Sequence, residues 1–204
     1  MCFPRQLDAS LSVRQCPTAV TRHASAIEFR PLRTDDFATL WEWHQRPHVA
    51  RWFAPYMPET YDECVREWSD MVERRVPERG FLIVVDGREA GYIQSYRLND
   101  APEMAVPLAL GEDAVAADLF IADESLLGRG VGARVVATFY LRMMEESGLE
   151  VGIIDPEVEN ARAIRAYEKA GFSVLRDVDT GGRSRERMMR ATRESLEAAL
   201  RAMG

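Results

Sequence analysis

One stretch, SLLGRGVGARVV (125–136), constrains this chain more than any other. Gly128, Gly130 and Gly132 alternate there, between the apolar run VAADLFIA (115–122) and a segment in which Val131, Val135, Val136, Phe139 and Met143 recur at helical spacing. The pattern predicts a strand, a glycine-bearing turn and a helix from about Gly130 to Ser147 that packs on a sheet. The first-turn N–H groups of such a helix have no intrahelical partner, and its dipole places partial positive charge on them. Glycines remove the Cβ atoms that would hold a phosphate away, and Arg129 adds a charge, so the segment reads as a phosphate-binding turn. A plain glycine turn before a core helix would carry the same residues. The stretch is not GxxxxGK[ST], and the initial βαβ unit of a dinucleotide-binding fold is missing.

The surrounding elements predict a mixed α/β chain with a helix-rich N-terminal third. IEFRPLR alternates as a strand, and Thr34, Asp35 and Asp36 offer an N-cap and acidic first turn to a helix over FATLWEWHQR. A short helix begins at Pro47. A third covers TYDECVREWSDMVERRV, with Cys64, Trp68, Met71 and Val72 on one face. FLIVVDGREAGYIQSYRL is a hairpin turning at Asp86-Gly87, and residues 99–114 are an irregular loop. EVGIID is a strand, ENARAIRAYEKAG is a helix closed by Gly171, and a second hairpin and a helical tail follow.

Composition narrows the partners. The 204 residues carry a formal charge of -7, which disfavours a nucleic-acid partner and favours a small cationic one. No apolar run reaches the length of about 18 residues that a membrane helix needs. Cys2, Cys16 and Cys64 have neither ligand spacing nor an even count, so no metal site or disulfide framework is expected, and the cytoplasm is the expected location. Lysine occurs once, at Lys169. Residues 1–26 hold three Arg against one Asp without strand or helix period; they read as a disordered extension before a single domain over 27–204.

One strand beyond the glycine turn stands DPEVENARAIRAYEKAGF (155–172). Together with LGRGVG it resembles the GNAT superfamily of acyl-CoA-dependent N-acetyltransferases, over about residues 27–190. The resemblance implies an α/β (α+β) fold: a mixed, mostly antiparallel sheet flanked by helices, its splayed strands forming the acetyl-CoA cleft. It places coenzyme contacts on an edge strand at Leu119, Phe120 and Ile121, on Leu127, Gly128, Arg129, Gly130, Val131 and Gly132, and on Asn160 and Tyr167. Leu127 stands where Arg or Gln is usual, which should weaken binding without abolishing it. Within the superfamily, WEWHQRPHVARWF (41–53), GYIQSYRL (91–98), DLFIADESLLGRGVG (118–132) and RAIRAYEKAGF (162–172) are similar to aminoglycoside 6'-N-acetyltransferases at matching intervals.

That likeness implies two catalytic residues. Tyr167 matches the general acid, and a phenol of pKa about 10 can donate to a thiolate whose conjugate acid lies near 8.5. Asp118 matches the aspartate that holds the acceptor amine; with a pKa near 4 a carboxylate is a poor base, so positioning is its expected role, and a strand-end salt bridge is the bland alternative. Asp155 lines the substrate cleft in the resembling group, and otherwise caps a Pro-led turn. Trp52 and Phe53 match an aromatic pair bordering the sugar, although Trp41, Trp43 and Trp68 read as core. Glu103 belongs to the acceptor loop, where Glu112 and Asp113 suit a solvated surface better.

The expected function is direct acetyl transfer from acetyl-CoA to the 6'-amine of an aminoglycoside, by a monomer or homodimer, conferring resistance. Residues 99–114 lack the tryptophan pair and consecutive acids of the best-known members, so other acceptors stay open: a polyamine, a siderophore hydroxylamine or a protein N-terminus. No His follows residue 48, against the siderophore option. A non-catalytic acyl-CoA sensor is the remaining alternative.

Overall fold

The computed structural model describes residues 26–101, 111–179 and 185–204. Among them, seven strands form one sheet: β1 (Ile27–Pro31), β2 (Arg79–Val85), β3 (Arg88–Arg97), β4 (Val115–Ile121), β5 (Val151–Ile154), β6 (Ser173–Asp179) and β7 (Arg185–Thr192), in the order β1-β2-β3-β4-β5-β7-β6. Every neighbouring pair is antiparallel except β4 and β5. The mixed, mostly antiparallel sheet expected from the sequence is therefore present.

Helices cover both faces. α1 (Phe37–His44), α2 (Pro47–Phe53) and α3 (Tyr61–Val72) lie over one; α4 (Val131–Ser147), α5 (Ala161–Ala170) and α6 (Arg193–Met203) lie over the other. Side-chain alternation along the strands feeds the two cores separately. Phe81, Ile83, Val85, Ile93 and Ala117 join Val135, Phe139 and Tyr140 of α4, whereas Leu82, Tyr92 and Phe120 join Leu40, Trp43, Cys64 and Trp68 of the N-terminal helices. With both faces covered, β2 reads as the unbroken apolar run FLIVV. Each large side chain buried this way contributes about 1.5–3 kcal/mol.

Local signals set the element ends. Asp86 and Gly87, at φ 51° and 76°, turn the first hairpin. Thr60 and Glu63 form a capping box on α3, and the Asn160 side chain accepts from the Ala163 N–H at 3.1 Å to start α5. Gly171 ends α5 at φ 105°, where a Cβ would stand 2.5 Å from the Ser195 carbonyl oxygen, so the close seat of α6 on α5 requires glycine.

Two expectations need correction. Thr34–Asp36 form a 3-10 turn, and Asp36 holds the N-cap position of α1 without a side-chain cap bond, because its carboxylate is drawn back to the Arg33 N–H at 2.8 Å and to Arg30 at 2.8 and 2.9 Å. Strand β4 is interior in the sheet order rather than an edge strand along its length, since β5 pairs with it at Val115↔Gly152 and Ala116↔Ile153; only its stretch beyond Ala116, with Leu119–Ile121, is open on that side. Its register with β3 runs unbroken from Arg97↔Val115 to Gly91↔Ile121. The N-terminal segment, apart from Ala26, and most of the loop after Ala101 lie outside the described residues.

Candidate active site

The parallel contact between β4 and β5 ends after Ala116, while β4 continues to Ile121. The strands splay there, and the gap opens a cleft of about 700 Å³. Its floor is Asp118 and Leu119 of β4 with Ile154 and Asp155 at the end of β5; Asn160 and Tyr167 come from α5, and Trp52, Phe53 and Trp68 from the N-terminal helices. Sequence positions more than a hundred residues apart thus meet at one point.

Asp118 is held by its cross-strand neighbour. Gln94 Nε2 donates to Asp118 Oδ2 at 3.1 Å, and Gln94 Oε1 accepts from the Tyr92 hydroxyl at 3.0 Å. The second bond sets the amide so that its NH₂ end faces the carboxylate. Burial pushes the Asp118 carboxyl above its ordinary range, with Gln94 opposing and the charge of Glu78 adding. Asp155 is pushed up to about 7, first by burial and then by the charges of Asp118 and Glu186. Burial, followed by the same two aspartates, holds the Tyr167 phenol above its usual value. Asp118, Asp155 and Tyr167 therefore lie within one another's fields.

The cleft wall is acidic and carries no Lys or Arg among the described residues. Elsewhere several acids are matched by arginines: Asp36 by Arg30, Asp113 by Arg97, Glu112 by Arg190, Glu146 by Arg79 and Arg142, Asp177 by Arg187. In the cleft, Glu67, Glu78, Asp118, Asp155 and Glu157 have no such partner among the described residues; Asp70 differs, pairing with Arg75 at 2.6 Å. Low-dielectric walls lined by one sign of charge concentrate the opposite sign. The enclosed chemistry is that of a cation site with aromatic sides.

The glycine turn is a separate feature and forms no part of that wall. Gly128 and Gly130 take φ 74° and 83°, and Gly130 is the N-cap of the 17-residue α4 without a side-chain cap. The first-turn N–H groups are left to an outside acceptor. A Cβ at Gly130 would stand 3.3 Å from Lys169 Nζ, which places the chain's one lysine beside the turn together with exposed Arg129. Val131 points its side chain into the core, so only its backbone faces the turn.

Other expected contacts are placed differently. Phe120 is 6% exposed, its ring packed on His44, Phe53 and Tyr92, and only its backbone can face the gap. The Ile121 carbonyl is engaged by His48 Nε2 at 3.0 Å. Asn160 spends its side-chain oxygen on capping α5. Glu103 lies outside the described residues. Glu112 and Asp113 are surface ion pairs, as the solvated reading had it. Sequence reasoning missed Glu67, Glu78, Glu157, Glu186, Gln94 and His44; the sole trace of the acids was the net negative charge. Among the described residues no helix is long and apolar enough to cross a membrane, and no cluster of His, Cys, Asp and Glu could hold a metal ion.

A family model described as an acetyltransferase (GNAT) domain matches residues 33–180. The aminoglycoside N(6')-acetyltransferase type 1 of Klebsiella pneumoniae is 26% identical over 160 residues, which span 75% of this chain and 77% of that protein. The structure of AAC(6')-Ib in complex with parmomycin and acetyl-CoA matches with a TM-score of 0.70 at 26% identity, covering 84% of this chain and 96% of that one. An uncharacterized protein from Bacillus halodurans reaches a TM-score of 0.75 at 17% identity, over 86% of this chain and 88% of its own, a likeness of fold alone.

Proposed function

The chain belongs to the GNAT acetyltransferase family, and from that premise we propose that it transfers acetyl from acetyl-CoA directly to the 6'-amine of an aminoglycoside. The observation that carries the acceptor class is the cleft in which Glu67, Glu78, Asp118, Asp155 and Glu157 stand without arginine or lysine among the described residues. Two points support the co-substrate. A left-handed glycine turn on the N-terminus of α4 with Arg129 and Lys169 beside it suits a pyrophosphate, and the β4 backbone beyond Ala116 is free of β5 and suits an extended amide chain. The relatives support both, being aminoglycoside 6'-N-acetyltransferases, one with acetyl-CoA in its structure.

Leu127–Gly132 would hold the phosphates, and Leu119–Ile121 with Asn160 the arm. Acetyl-CoA supplies the acetyl group there as an activated thioester. Asp118, fixed by Gln94, orients the acceptor amine. Asp155, pushed up to about 7, takes the proton the ammonium must lose near neutral pH, which an ordinary carboxylate does poorly. Tyr167 stays protonated across the neutral range and keeps its O–H available to the departing sulfur. The raised phenol is a weaker acid than usual, but the burial that raises it also raises a thiol enclosed beside it.

Release of coenzyme A thiol, followed with kanamycin, tobramycin, gentamicin, spermidine and a short peptide as separate acceptors, tests the proposal. Release with aminoglycosides bearing a free 6'-amine, and none once that amine is blocked, is the expected result. Turnover of spermidine or peptide alone would overturn the acceptor, and acetyl-CoA binding without any turnover would make the protein a sensor.

A further inference from the structure

The segment that leads from β4 to the glycine turn is gripped from the N-terminal helices. Arg46, the N-cap of α2, donates from Nη1 to the Ala122 carbonyl at 2.7 Å. His48, two residues on, sets Nε2 3.0 Å from the Ile121 carbonyl oxygen and Nδ1 2.8 Å from Glu124 Oε1. The backbone passes this hold on to the turn. Glu124 opens the 3-10 turn Glu124–Leu126; its carbonyl accepts from the Leu127 N–H at 3.1 Å, and the Leu126 carbonyl accepts from the Arg129 N–H at 3.4 Å. Arg129 is followed by Gly130, the N-cap of α4.

The two oxygens that face the His48 ring belong to a carbonyl and a carboxylate, which only accept. A neutral imidazole has one N–H and one lone pair, so it serves one of them and turns its lone pair on the other; the doubly protonated ring serves both. Nδ1 is closed to solvent and makes no aligned hydrogen bond, so no water relieves a lone pair set against Glu124. The Ile121 carbonyl is fixed by the pairing of β4 with β3, whereas the Glu124 side chain is 69% exposed and can turn to solvent. Loss of a proton therefore leaves the Nε2–H on Ile121 and frees Glu124. The other charges around the segment are constant. Arg46 and Arg88, whose charges act on Asp123, are permanent cations, as is Arg51, which lies over the Trp52 ring. Hydrogen bonds from Ser125 hold the Asp123 carboxyl below its ordinary range. None of these groups changes charge between pH 5 and 8, where an imidazole ordinarily does.

We propose that His48 is a positioning residue for acetyl-CoA binding: as an imidazolium it bridges the Ile121 carbonyl and Glu124 and seats the segment that leads into the glycine turn, and on losing a proton it releases Glu124 and loosens that seat. The proposal rests on reading the turn as the acetyl-CoA phosphate site. It makes co-substrate binding tighter in mild acid than in mild base, through a residue outside the cleft wall.

The test titrates acetyl-CoA calorimetrically into the full chain, His48→Gln and Glu124→Gln from pH 5.5 to 8.5 at constant ionic strength. An ion pair with an exposed carboxylate contributes little, so changes of about threefold are expected. His48→Gln keeps an uncharged N–H for the Ile121 carbonyl; it should bind about threefold more weakly than wild type at pH 5.5 and converge with it at pH 8.5. In Glu124→Gln the amide donates to the neutral ring and accepts from the charged one, so the bridge persists, and Kd relative to wild type should fall about threefold as pH rises. Asp155 and the coenzyme phosphates titrate in all three proteins and cancel in these ratios. A ratio between His48→Gln and wild type that stays fixed at every pH marks His48 as structural and overturns the proposal, and a fixed ratio for Glu124→Gln does the same. Long-range proton–nitrogen NMR spectra of the imidazoles, with the His48 signals identified by their loss in His48→Gln, give a second readout. The ring should pass from the doubly protonated form to the Nε2–H tautomer as pH rises; the Nδ1–H tautomer removes the bridge. If Gly130→Val binds acetyl-CoA as tightly as wild type, the reading of the turn fails and the seating role falls with it, while the spectra still decide the bridge.

Discussion

Asp155 sets stability against activity, and Asp155→Asn makes the conflict measurable. Its carboxyl rises from 3.8 to about 7 because folding buries it at the end of β5 and, to a lesser extent, sets it beside the charges of Asp118 and Glu186. Between those two values the folded chain holds a proton that the unfolded chain has lost. Stability is therefore fully present below the unfolded value and falls as pH rises toward 7. About three pKa units correspond to about 4 kcal/mol. The carboxyl lines an open cleft that water reaches, so we expect about 1–2 kcal/mol to be realised, or a few degrees of melting temperature in a chain of this size. Below pH 3.8 Asp155 is protonated in both the folded and the unfolded chain and close in shape and charge to Asn, so urea midpoints of variant and wild type should nearly coincide there and part steadily as pH rises toward 7. At pH 8 the variant should be the more stable of the two, while its kcat/KM for the acceptor falls and loses the acid limb near pH 7. Parallel pH dependences of the two urea midpoints would refute the argument, since charges common to both proteins cancel in the difference.

Tyr167→Phe should lower kcat about a hundredfold and leave acetyl-CoA affinity by calorimetry nearly unchanged; an unaltered kcat removes the phenol as proton donor. Gly130→Val forces a β-branched residue to φ 83° with Cβ 3.3 Å from Lys169 Nζ, and acetyl-CoA binding should weaken about tenfold or more. Tight binding by that variant would dissociate the turn from the co-substrate. Gly171→Ala meets both a φ of 105° and the Ser195 carbonyl at 2.5 Å, and its urea midpoint should report a loss of about 2 kcal/mol or more.

Much of this architecture was legible from local chemistry. The apolar run of β2, Asp86-Gly87 between β2 and β3, the capping pair Thr60 and Glu63, and Asn160 and Gly171 bounding α5 all act through neighbours a few residues away. The same is true of the glycine turn, whose positive φ values depend on the missing Cβ atoms of Gly128 and Gly130. Asp118 and Tyr167 stand out as candidates because each sits inside a local pattern that a family shares.

The rest depended on long-range placement. Whether β4 is an edge rests on where β5 pairs with it, and that pairing lasts two residues before the strands splay. Whether the Ile121 carbonyl is available rests on His48, 73 residues away in sequence. Glu67, Glu78 and Glu157 look like ordinary surface acids in the chain, as Glu112 and Asp113 do; packing pairs the last two with Arg190 and Arg97 and leaves the first three facing a cleft. His44 continues the polar side of a short helix in sequence, and becomes a buried, unpaired imidazole only when α3 and β4 close over it. Backbone hydrogen bonding and side-chain size act over one turn or one strand register and can be read in order along the chain. Burial, and with it the charge state and free hydrogen-bonding capacity of each acid and imidazole, belongs to the assembled layers.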